Sequence, residues 1–357
     1  MGVERVGPRS RLAHTMRRRE LLMGTAVAAK GMAQGGGKIR IGFLGGSHSH
    51  AAAKIRIAME AADWELAGLW EADGGLAESY RKKGVKLVEK AALLGDAGVQ
   101  VIAVESDVKT HEGLAMEALR AGKHVHVEKP PSDNWAGMKK LVDEARKRGR
   151  LLQMGYMWRQ HPGFAKIFEA VRAGWLGDVY MVRGTMNTLI EAQQRKAWAE
   201  FHGGTMFELG GHLVDPMVRL MGRPVKVTPF LRHHGKLSDG LLDSTHAVFE
   251  WPGAMGTITS AVMQPGATAQ RGFEVWGTNG NAVLRPIEGT PRLAMDLQKA
   301  AGPYNKGPQE IVLAKYERYV GGFVELAAAV RSGKALPVTP EEDLQVQEAL
   351  LRASEMF

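Results

Sequence analysis

Short apolar segments alternate with segments of helical periodicity over residues 38–154, and this alternation constrains the fold more than any other feature. The apolar segments lie at 38–44, 64–70, 99–104, 124–127 and 151–154. Helical patterns separate them at 50–62, 76–83, 109–120 and 134–148. Such a β-α alternation is typical of a doubly wound parallel sheet. We therefore expect an α/β Rossmann domain over residues 38–154.

The pattern changes at residue 155, where short runs with a period of two residues begin. These runs lie at 179–185, 246–251, 256–262, 273–276 and 282–285 and are separated by Gly, Pro and Asn turns. They indicate an antiparallel or mixed sheet with one open face. Residues 155–357 are therefore predicted to form an α+β domain on a large, open, mainly antiparallel sheet, closed by helices at 316–331 and 341–356.

Composition excludes several functional classes. The 357 residues contain no cysteine, so the chain has neither disulfides nor thiolate nucleophiles and ligands. The net charge of +9 at first suggests a nucleic-acid partner, but residues 1–37 hold seven basic and only two acidic residues. The basic balance belongs largely to this N-terminal segment, and we expect no nucleic-acid surface.

The N-terminal segment, residues 1–37, has features of a targeting sequence. Arg18-Arg19 precedes a weakly apolar stretch, 21–29, and then the small residues of 31–33. This order resembles a twin-arginine export signal, which implies a periplasmic protein; the alternative is a disordered basic extension on a cytoplasmic enzyme. The apolar stretch is far shorter than the roughly 20 residues that span a bilayer, so no membrane span is expected.

Two turns fall at the predicted carboxyl ends of strands, where open parallel sheets bind their ligands. The first strand leads through Gly42 into the turn Gly45-Gly46-Ser47-His48. A dinucleotide-binding turn needs glycine for the tight bend and for close approach to the pyrophosphate, and Ser47 stands where the second glycine of Gly-x-Gly would fall. The fourth strand ends in Glu128-Lys129-Pro130.

Glu128-Lys129-Pro130 at this place resembles the signature of the Gfo/Idh/MocA family of nicotinamide-dependent oxidoreductases. The resemblance covers nearly the whole chain from residue 38 onward. It implies a Rossmann domain followed by an open sheet that commonly forms dimer or tetramer contacts. It also implies an enzyme that transfers a hydride from a secondary hydroxyl of a sugar, polyol or derivative to a tightly bound nicotinamide cofactor.

The family resemblance extends to residues 203–215, which match the segment that supplies a catalytic Asp-x-x-x-His. His212 matches the histidine, and Glu208 occupies the place of the aspartate. His212 would then take the hydroxyl proton, for which an imidazole is suited, and Lys129 would polarise the oxygen. Glu128 is expected to orient the Lys129 ammonium. Asp215 either holds the tautomer of His212 or faces solvent.

The expected cofactor contacts lie at strand ends. Besides Gly42, Gly45, Gly46, Ser47 and His48, they include Glu128, Lys129 and Glu105, which follows the third strand. Glu71 ends the second strand, where an acid accepts hydrogen bonds from the adenosine ribose and repels a 2′-phosphate; Asp73 is the competing candidate. No arginine follows closely, so NAD is favoured over NADP.

Three residues are candidate substrate contacts: Asp215, Arg159 and Trp198. Arg159 resembles part of an Arg-x-x-Pro element beside the family's substrate pocket, and it either meets a substrate oxygen or pairs with a structural carboxylate. Trp198 either stacks on a sugar face or packs in the core. His48 and His50 form a pair without an identifiable third ligand, so no metal is expected.

Two other functions stay open at this point. One is an NAD-dependent glycosidase on the same fold, although such relatives carry a tyrosine in the segment that here spans residues 210–216. The other is a non-catalytic nucleotide-binding or regulatory protein. The irregular Gly45–His50 loop and Glu208 favour it, whereas the presence of both Lys129 and His212 argues against it.

Overall fold

Five parallel strands form the first sheet, in the order β2-β1-β3-β4-β5. The computed structural model describes residues 37–357, and the predicted export leader lies outside them. The strands are β1 (Ile39–Leu44), β2 (Trp64–Trp70), β3 (Val99–Val104), β4 (His124–Val127) and β5 (Leu152–Met154). The helices of this part are α1 (Ala51–Glu60), α2 (Gly74–Lys82), α3 (Lys90–Gly95), α4 (Val108–Arg120) and α5 (Trp135–Arg148).

Helices cover both faces of this sheet, which explains why its strands read as continuous apolar segments. Four of the six β1 residues are 2% exposed or less: Ile39, Ile41, Phe43 and Leu44. Helix α2 begins at a cap, because the Asp73 side chain accepts a hydrogen bond from the Leu76 N–H. The predicted doubly wound parallel sheet is confirmed.

Eight strands form the second sheet, in the order β13-β12-β11-β10-β6-β9-β8-β7. All neighbouring pairs are antiparallel except β6 and β9, so the predicted large, mainly antiparallel sheet is confirmed. The strands are β6 (Val179–Thr185), β7 (Lys226–Arg232), β8 (Ser244–Trp251), β9 (Ala254–Ala261), β10 (Gly272–Gly277), β11 (Gly280–Leu284), β12 (Leu293–Leu297) and β13 (Gly307–Ile311).

One face of the second sheet packs on helices and the other is open. The helices of this part are α6 (Pro162–Arg172), α7 (Ala192–Trp198), α8 (Gly211–Met221), α9 (Val320–Ser332) and α10 (Pro340–Ala353). Met181, Phe230 and Met255 lie on the open face and are each more than 40% exposed. Within residues 37–357, no helix is both long and apolar enough to cross a bilayer.

Helix α9 returns the chain to the first sheet. Its residues Phe323, Leu326 and Ala327 are buried in one apolar cluster with Ile41 and Trp64. The predicted boundary at residue 154 therefore divides the two sheets, while a late helix still completes the layer that covers the first one. The boundary itself stays a prediction.

The α9 contact generates a stability prediction. Phe323→Ala removes a ring that lies 5.6 Å from that of Trp64, centroid to centroid, and is 1% exposed. Truncation of such a buried ring costs about 3–5 kcal/mol of the free energy of unfolding, measured by urea denaturation. Val324 follows on the same helix and is 52% exposed, so Val324→Ala should change stability by less than about 0.5 kcal/mol. Equal losses in the two variants would contradict this packing.

Candidate active site

The loops after β1, β3 and β4 meet where the strand order reverses, which is the ligand-binding crevice of an open parallel sheet. Gly45 forms the bend after β1 with a φ of +83°, and a Cβ there would lie 2.5 Å from the Ser106 Cβ after β3. Only glycine fits that position. The backbone after β1 therefore lies directly against the loop after β3.

The first turn of α1 is suited to a phosphate group. The helix begins at Ala51, and no side chain caps it, so N–H groups of its first turn are available to an anion. Ser47, at the place of the second glycine, is exposed and lines a cavity. The turn therefore accommodates Ser47 without losing the open approach that a pyrophosphate needs. The residues present fit a dinucleotide.

Glu71 lies against the same turn. Its Oε2 accepts a hydrogen bond of 2.6 Å from the Gly46 N–H, and its Oε1 accepts one from the Asp73 N–H. The Asp73 carboxylate is engaged in capping α2. Of the two acids considered from the sequence, Glu71 is thus the one placed beside the turn.

Two residues that were predicted to contact the cofactor, Gly42 and Glu105, make other contacts instead. Gly42 lies inside β1, where a Cβ would be 3.0 Å from the Ile102 side chain, so its glycine serves close packing within the sheet. The Glu105 side chain is fully buried and faces the Lys54 ammonium. Only the backbone of Glu105 reaches the turn, where its carbonyl accepts a hydrogen bond from the His48 N–H.

Lys54, on α1, is the centre of a buried charge cluster. Its Nζ donates to Glu105 Oε1 at 2.8 Å and to Glu128 Oε1, and it lies 2.8 Å from His126 Nε2. Burial alone would lower the pKa of Lys54, but the Glu105 and Glu128 carboxylates raise it. Burial raises the pKa of Glu105 to about 8, although Lys54 opposes this shift. Local sequence patterns did not indicate this cluster.

Glu128 is shared between several donors. Its carboxylate accepts from Lys54, from the His50 ring at 3.0 Å, and from the Lys129 backbone N–H at 2.9 Å. Burial would raise the pKa of Glu128, but Lys54, His50 and His48 hold it well below its ordinary value. The expectation that Glu128 orients the Lys129 ammonium needs correction, because the contact is to the backbone.

The Lys129 ammonium instead donates to the backbone carbonyl of Glu208, at 2.8 Å. Glu208 lies in a π-helical turn, Met206–Gly210, immediately before α8. Such turns are rare and frequently occur at functional sites. This hydrogen bond joins the Lys-Pro corner of the first sheet to the segment that carries His212.

His212 is held neutral by its surroundings. Burial lowers its pKa well below the ordinary value, and the nearby Lys129 ammonium lowers it further. Its Nδ1 is buried and has no hydrogen-bond partner within residues 37–357. A neutral imidazole has a free lone pair, so His212 is in the form that can accept a proton.

A cavity of about 470 Å³ lies between the two parts of the chain. It brings together five predicted site residues, Ser47, His48, Lys129, Trp198 and Glu208. Burial raises the pKa of Glu208, and no side-chain hydrogen bond to its carboxylate forms within the described residues. The cavity therefore presents an aromatic face, an ammonium and a carboxyl group to a ligand.

Comparison with known proteins agrees with this geometry. Residues 39–156 match the description "Oxidoreductase family, NAD-binding Rossmann fold", and residues 164–283 match "GFO/IDH/MocA C-terminal domain". The chain belongs to the GFO/IDH/MocA family. The predicted enzyme class, an NAD(P)-dependent oxidoreductase acting on CH–OH groups, is confirmed.

Named relatives of this GFO/IDH/MocA protein include scyllo-inositol 2-dehydrogenase (NADP(+)) IolW of Bacillus subtilis strain 168, 23% identical over 75% of this chain and 79% of the relative. Another is dTDP-3,4-didehydro-2,6-dideoxy-alpha-D-glucose 3-reductase of Streptomyces violaceoruber, 25% identical over 67% of this chain and 69% of the relative. The solved aldose-aldose oxidoreductase from Caulobacter crescentus has the same fold, with a TM-score of 0.74 at 21% identity, over 89% of this chain and 98% of that one.

Arg159 and Asp215 form a buried ion pair in this oxidoreductase. The Arg159 guanidinium donates to Asp215 Oδ1 at 2.7 and 3.0 Å and to Asp343 Oδ1 at 2.6 Å. All three side chains are buried, and none lines the 470 Å³ cavity. Of the two roles considered for Arg159, the geometry favours pairing with structural carboxylates. Among the described residues Asp215 forms no hydrogen bond with His212, and it is buried away from solvent.

His48 and His50 have a third polar neighbour that the sequence did not indicate. The Glu128 carboxylate lies 3.0 Å from His50 Nδ1 and 3.8 Å from His48 Nε2. Other residues that sequence reasoning missed are Lys54, Asp343 and Tyr319, whose ring centroid is 5.1 Å from that of His50. These contacts join distant parts of the chain, so local patterns carried no signal for them.

The Lys54 cluster predicts a pH-dependent loss of stability. Lys54→Met leaves two buried carboxylates without their cation, which should cost about 3–5 kcal/mol at pH 8. In this variant the folded-state pKa of Glu105 rises further above its unfolded value, and Glu128 loses the charge that does most to lower its pKa. The folded state then binds more protons, so stability falls as pH rises, and the loss should be smaller at pH 5.5.

Urea denaturation at pH 5.5 and pH 8 measures this effect. Lys90 forms a surface pair with Glu117 at 2.8 Å and provides the matched control. Lys90→Met should cost less than about 1 kcal/mol at both pH values. A Lys54→Met loss that is independent of pH, or no larger than the control, would contradict the assigned cluster.

Proposed function

We propose that this oxidoreductase transfers a hydride from a secondary hydroxyl of a sugar, polyol or derivative to a tightly bound NAD. The observation that supports it most is the 2.8 Å hydrogen bond from Lys129 Nζ to the Glu208 carbonyl. This hydrogen bond holds the Lys129 ammonium beside the segment that carries a neutral His212. Lys129 and Glu208 also line a cavity that is large enough for a ring-sized substrate.

A bound nicotinamide would supply the acceptor for the hydride. Lys129 has two further N–H groups besides the one given to Glu208, and one of them hydrogen-bonds the reacting oxygen and stabilises charge that develops on it. His212 accepts the hydroxyl proton as the hydride leaves the same carbon. The low pKa of His212 keeps its lone pair free for this step at neutral pH.

The cavity lining supports a carbohydrate-like substrate. Trp198 offers an aromatic face for the apolar side of a sugar ring, and Glu208 accepts hydrogen bonds from neighbouring hydroxyls. Lys109 is paired with Glu200 at 2.6 Å on the cavity wall, so the charges of these two side chains offset each other there. The names of the relatives, an inositol dehydrogenase and two sugar oxidoreductases, agree with this class.

The choice of NAD rests on Glu71. An acid beside the turn accepts hydrogen bonds from the ribose hydroxyls and repels a 2′-phosphate. The name of the Bacillus subtilis relative carries NADP(+), so membership of the family alone does not decide between the cofactors. We further propose a homo-oligomer formed through the open sheet face, on which Met181, Phe230 and Met255 are exposed. Export by the twin-arginine route stays a prediction.

Calorimetric titration of nucleotide-free protein tests the cofactor assignment. NAD should bind more tightly than NADP, and Glu71→Ala should reduce that preference roughly tenfold, as for one hydrogen bond to a charged group. Glu65, on the same strand, pairs with Arg40 on the surface and serves as control: Glu65→Ala should leave both affinities unchanged. Tighter binding of NADP by the unaltered protein would remove the basis for the Glu71 role.

The catalytic assignment is tested first by release of bound nicotinamide from purified protein, and then by turnover of sugars and polyols. Lys129→Ala and His212→Ala should each lower turnover by roughly 10²–10⁴. NAD affinity should change little in His212→Ala. The double variant should lose much less than the product of the two single effects, because the residues act on one oxygen.

Two outcomes would count against this assignment. Normal turnover by His212→Ala on a substrate of the unaltered enzyme would place the proton acceptor elsewhere. Nucleotide binding without turnover of any compound in the screen would favour the non-catalytic alternative.

A further inference from the structure

Histidine rings line the inner wall of the site. The His50 ring centroid lies 5.9 Å from that of His212 and 4.5 Å from that of His48. His48 in turn lines the 470 Å³ cavity. The His50 ring therefore neighbours both the buried His212 ring and a residue of the cavity wall, and the mechanism above does not use it.

The Glu128 carboxylate fixes the tautomer of His50. A carboxylate only accepts hydrogen bonds, so His50 Nδ1, 3.0 Å from Glu128 Oε1, carries the proton. The lone pair of His50 is then on Nε2, and no hydrogen bond to that nitrogen forms within the described residues. A carboxylate-oriented imidazole with a free nitrogen is the arrangement of a general base.

A metal site at His48, His50 and Glu128 fits this geometry poorly. The Nδ1 of His48 accepts a hydrogen bond of 3.2 Å from the His50 backbone N–H, so in the neutral ring the proton is on Nε2. That Nε2 is the nitrogen that faces Glu128, and it has no lone pair for a cation. The Lys54 ammonium also already occupies the Glu128 carboxylate.

His212 and His50 differ in the support they have for a positive charge. Within residues 37–357, His212 has no carboxylate partner, because Asp215 is held by Arg159, and it lies near the Lys129 ammonium. His50 donates directly to an ionised carboxylate. Burial lowers the pKa of both rings, but at His50 both the charge of Glu128 and its hydrogen bond to the ring oppose that shift, so we expect His50 to hold a proton better than His212.

We propose that His50, oriented by Glu128, takes over the proton that His212 receives from the substrate hydroxyl. This inference rests on the proposed function. The O–H bond breaks and its proton goes to His212, while the C–H electron pair and proton go as hydride to the nicotinamide. A proton then passes from His212 to His50 Nε2, directly or through one water, and leaves His212 neutral for the next turnover.

Tyr319 covers His50 from the C-terminal part of the chain. Its ring centroid is 5.1 Å from that of His50, and its φ of +68° is rare for a bulky side chain. Strained backbone of this kind persists where surrounding structure enforces it, often at active sites. In the part of the chain that the structure describes, six titratable or charged side chains surround His50: Glu128, Lys54, Lys129, His48, His212 and Tyr319.

Titration of the imidazole nitrogens by ¹⁵N NMR tests the proposal without any substrate. His50 should be the Nδ1–H tautomer, and its pKa should lie above that of His212. Glu128→Gln should lower the His50 pKa, because the variant removes the charge that stabilises the imidazolium. His50 as the Nε2–H tautomer, or with a pKa at or below that of His212, would overturn the proposal even if the protein proves to be a dehydrogenase.

Kinetics provide the second test, with a substrate found for the unaltered enzyme. The glutamine of His50→Gln still donates a hydrogen bond to Glu128 but cannot accept the relayed proton. This variant should lower kcat by roughly 10- to 100-fold at pH 7, a smaller loss than that caused by removing the primary proton acceptor, His212. The deficit should shrink as pH rises, since hydroxide and solvent then deprotonate His212. NAD affinity should change less than threefold.

His124 supplies the matched control, because it lies at the opposite end of β4 and its Nδ1 accepts a hydrogen bond from the Leu151 N–H. His124→Gln should leave kcat unchanged. Normal kcat in His50→Gln, or a deficit that does not vary with pH, would overturn the relay. Failure of the proposed function has a different signature, namely absence of nicotinamide binding and turnover in the unaltered protein, and the NMR titration then decides the His50 assignment alone.

Discussion

The buried ammonium of Lys54 is the interaction on which the geometry of the site depends. It reaches from α1 to carboxylates that follow β3 and β4, Glu105 and Glu128, all with almost no solvent exposure. An unpaired carboxylate in such surroundings costs several kcal/mol, so each acid can be buried only because the lysine lies between them. The cluster therefore ties the first helix of the dinucleotide turn to the strand that ends in Lys129.

The same cluster also determines what Glu128 can do. Because Lys54 keeps Glu128 ionised, the carboxylate can accept hydrogen bonds from the His50 ring and the Lys129 backbone together. At Glu105 the effect of burial exceeds that of the Lys54 charge, and the pKa of this acid is raised to about 8. Its Oε2 has no hydrogen-bond partner within residues 37–357. The surroundings thus shift the pKa values of two acids of one cluster in opposite directions, and the acid with the lowered pKa faces the site.

The sequence predicted the secondary structure of the molecule better than the contacts within its site. The bounds of β2, β3 and β4 follow from runs of mainly apolar residues, because strands covered by helices on both faces carry few polar side chains. Helix α8 was not predicted as a helix, since Gly211 and Pro216 disfavour one and tertiary burial overrides that preference. Lys54 resembled a solvated helix residue, because its partners lie 51 and 74 positions away.

The hydrogen bond between Lys129 and Glu208 explains how the site accommodates a glutamate in place of the family's aspartate. Lys129 is held by the carbonyl of Glu208, not by its side chain, so the ammonium stays in position whichever acid stands at 208. The extra methylene then changes only the cavity, where the carboxyl group of Glu208 lies with Trp198 and His48. Under the proposed function, backbone anchoring of this kind separates the position of Lys129, which the π-helical turn fixes, from the shape of the cavity, which its side chains are free to alter.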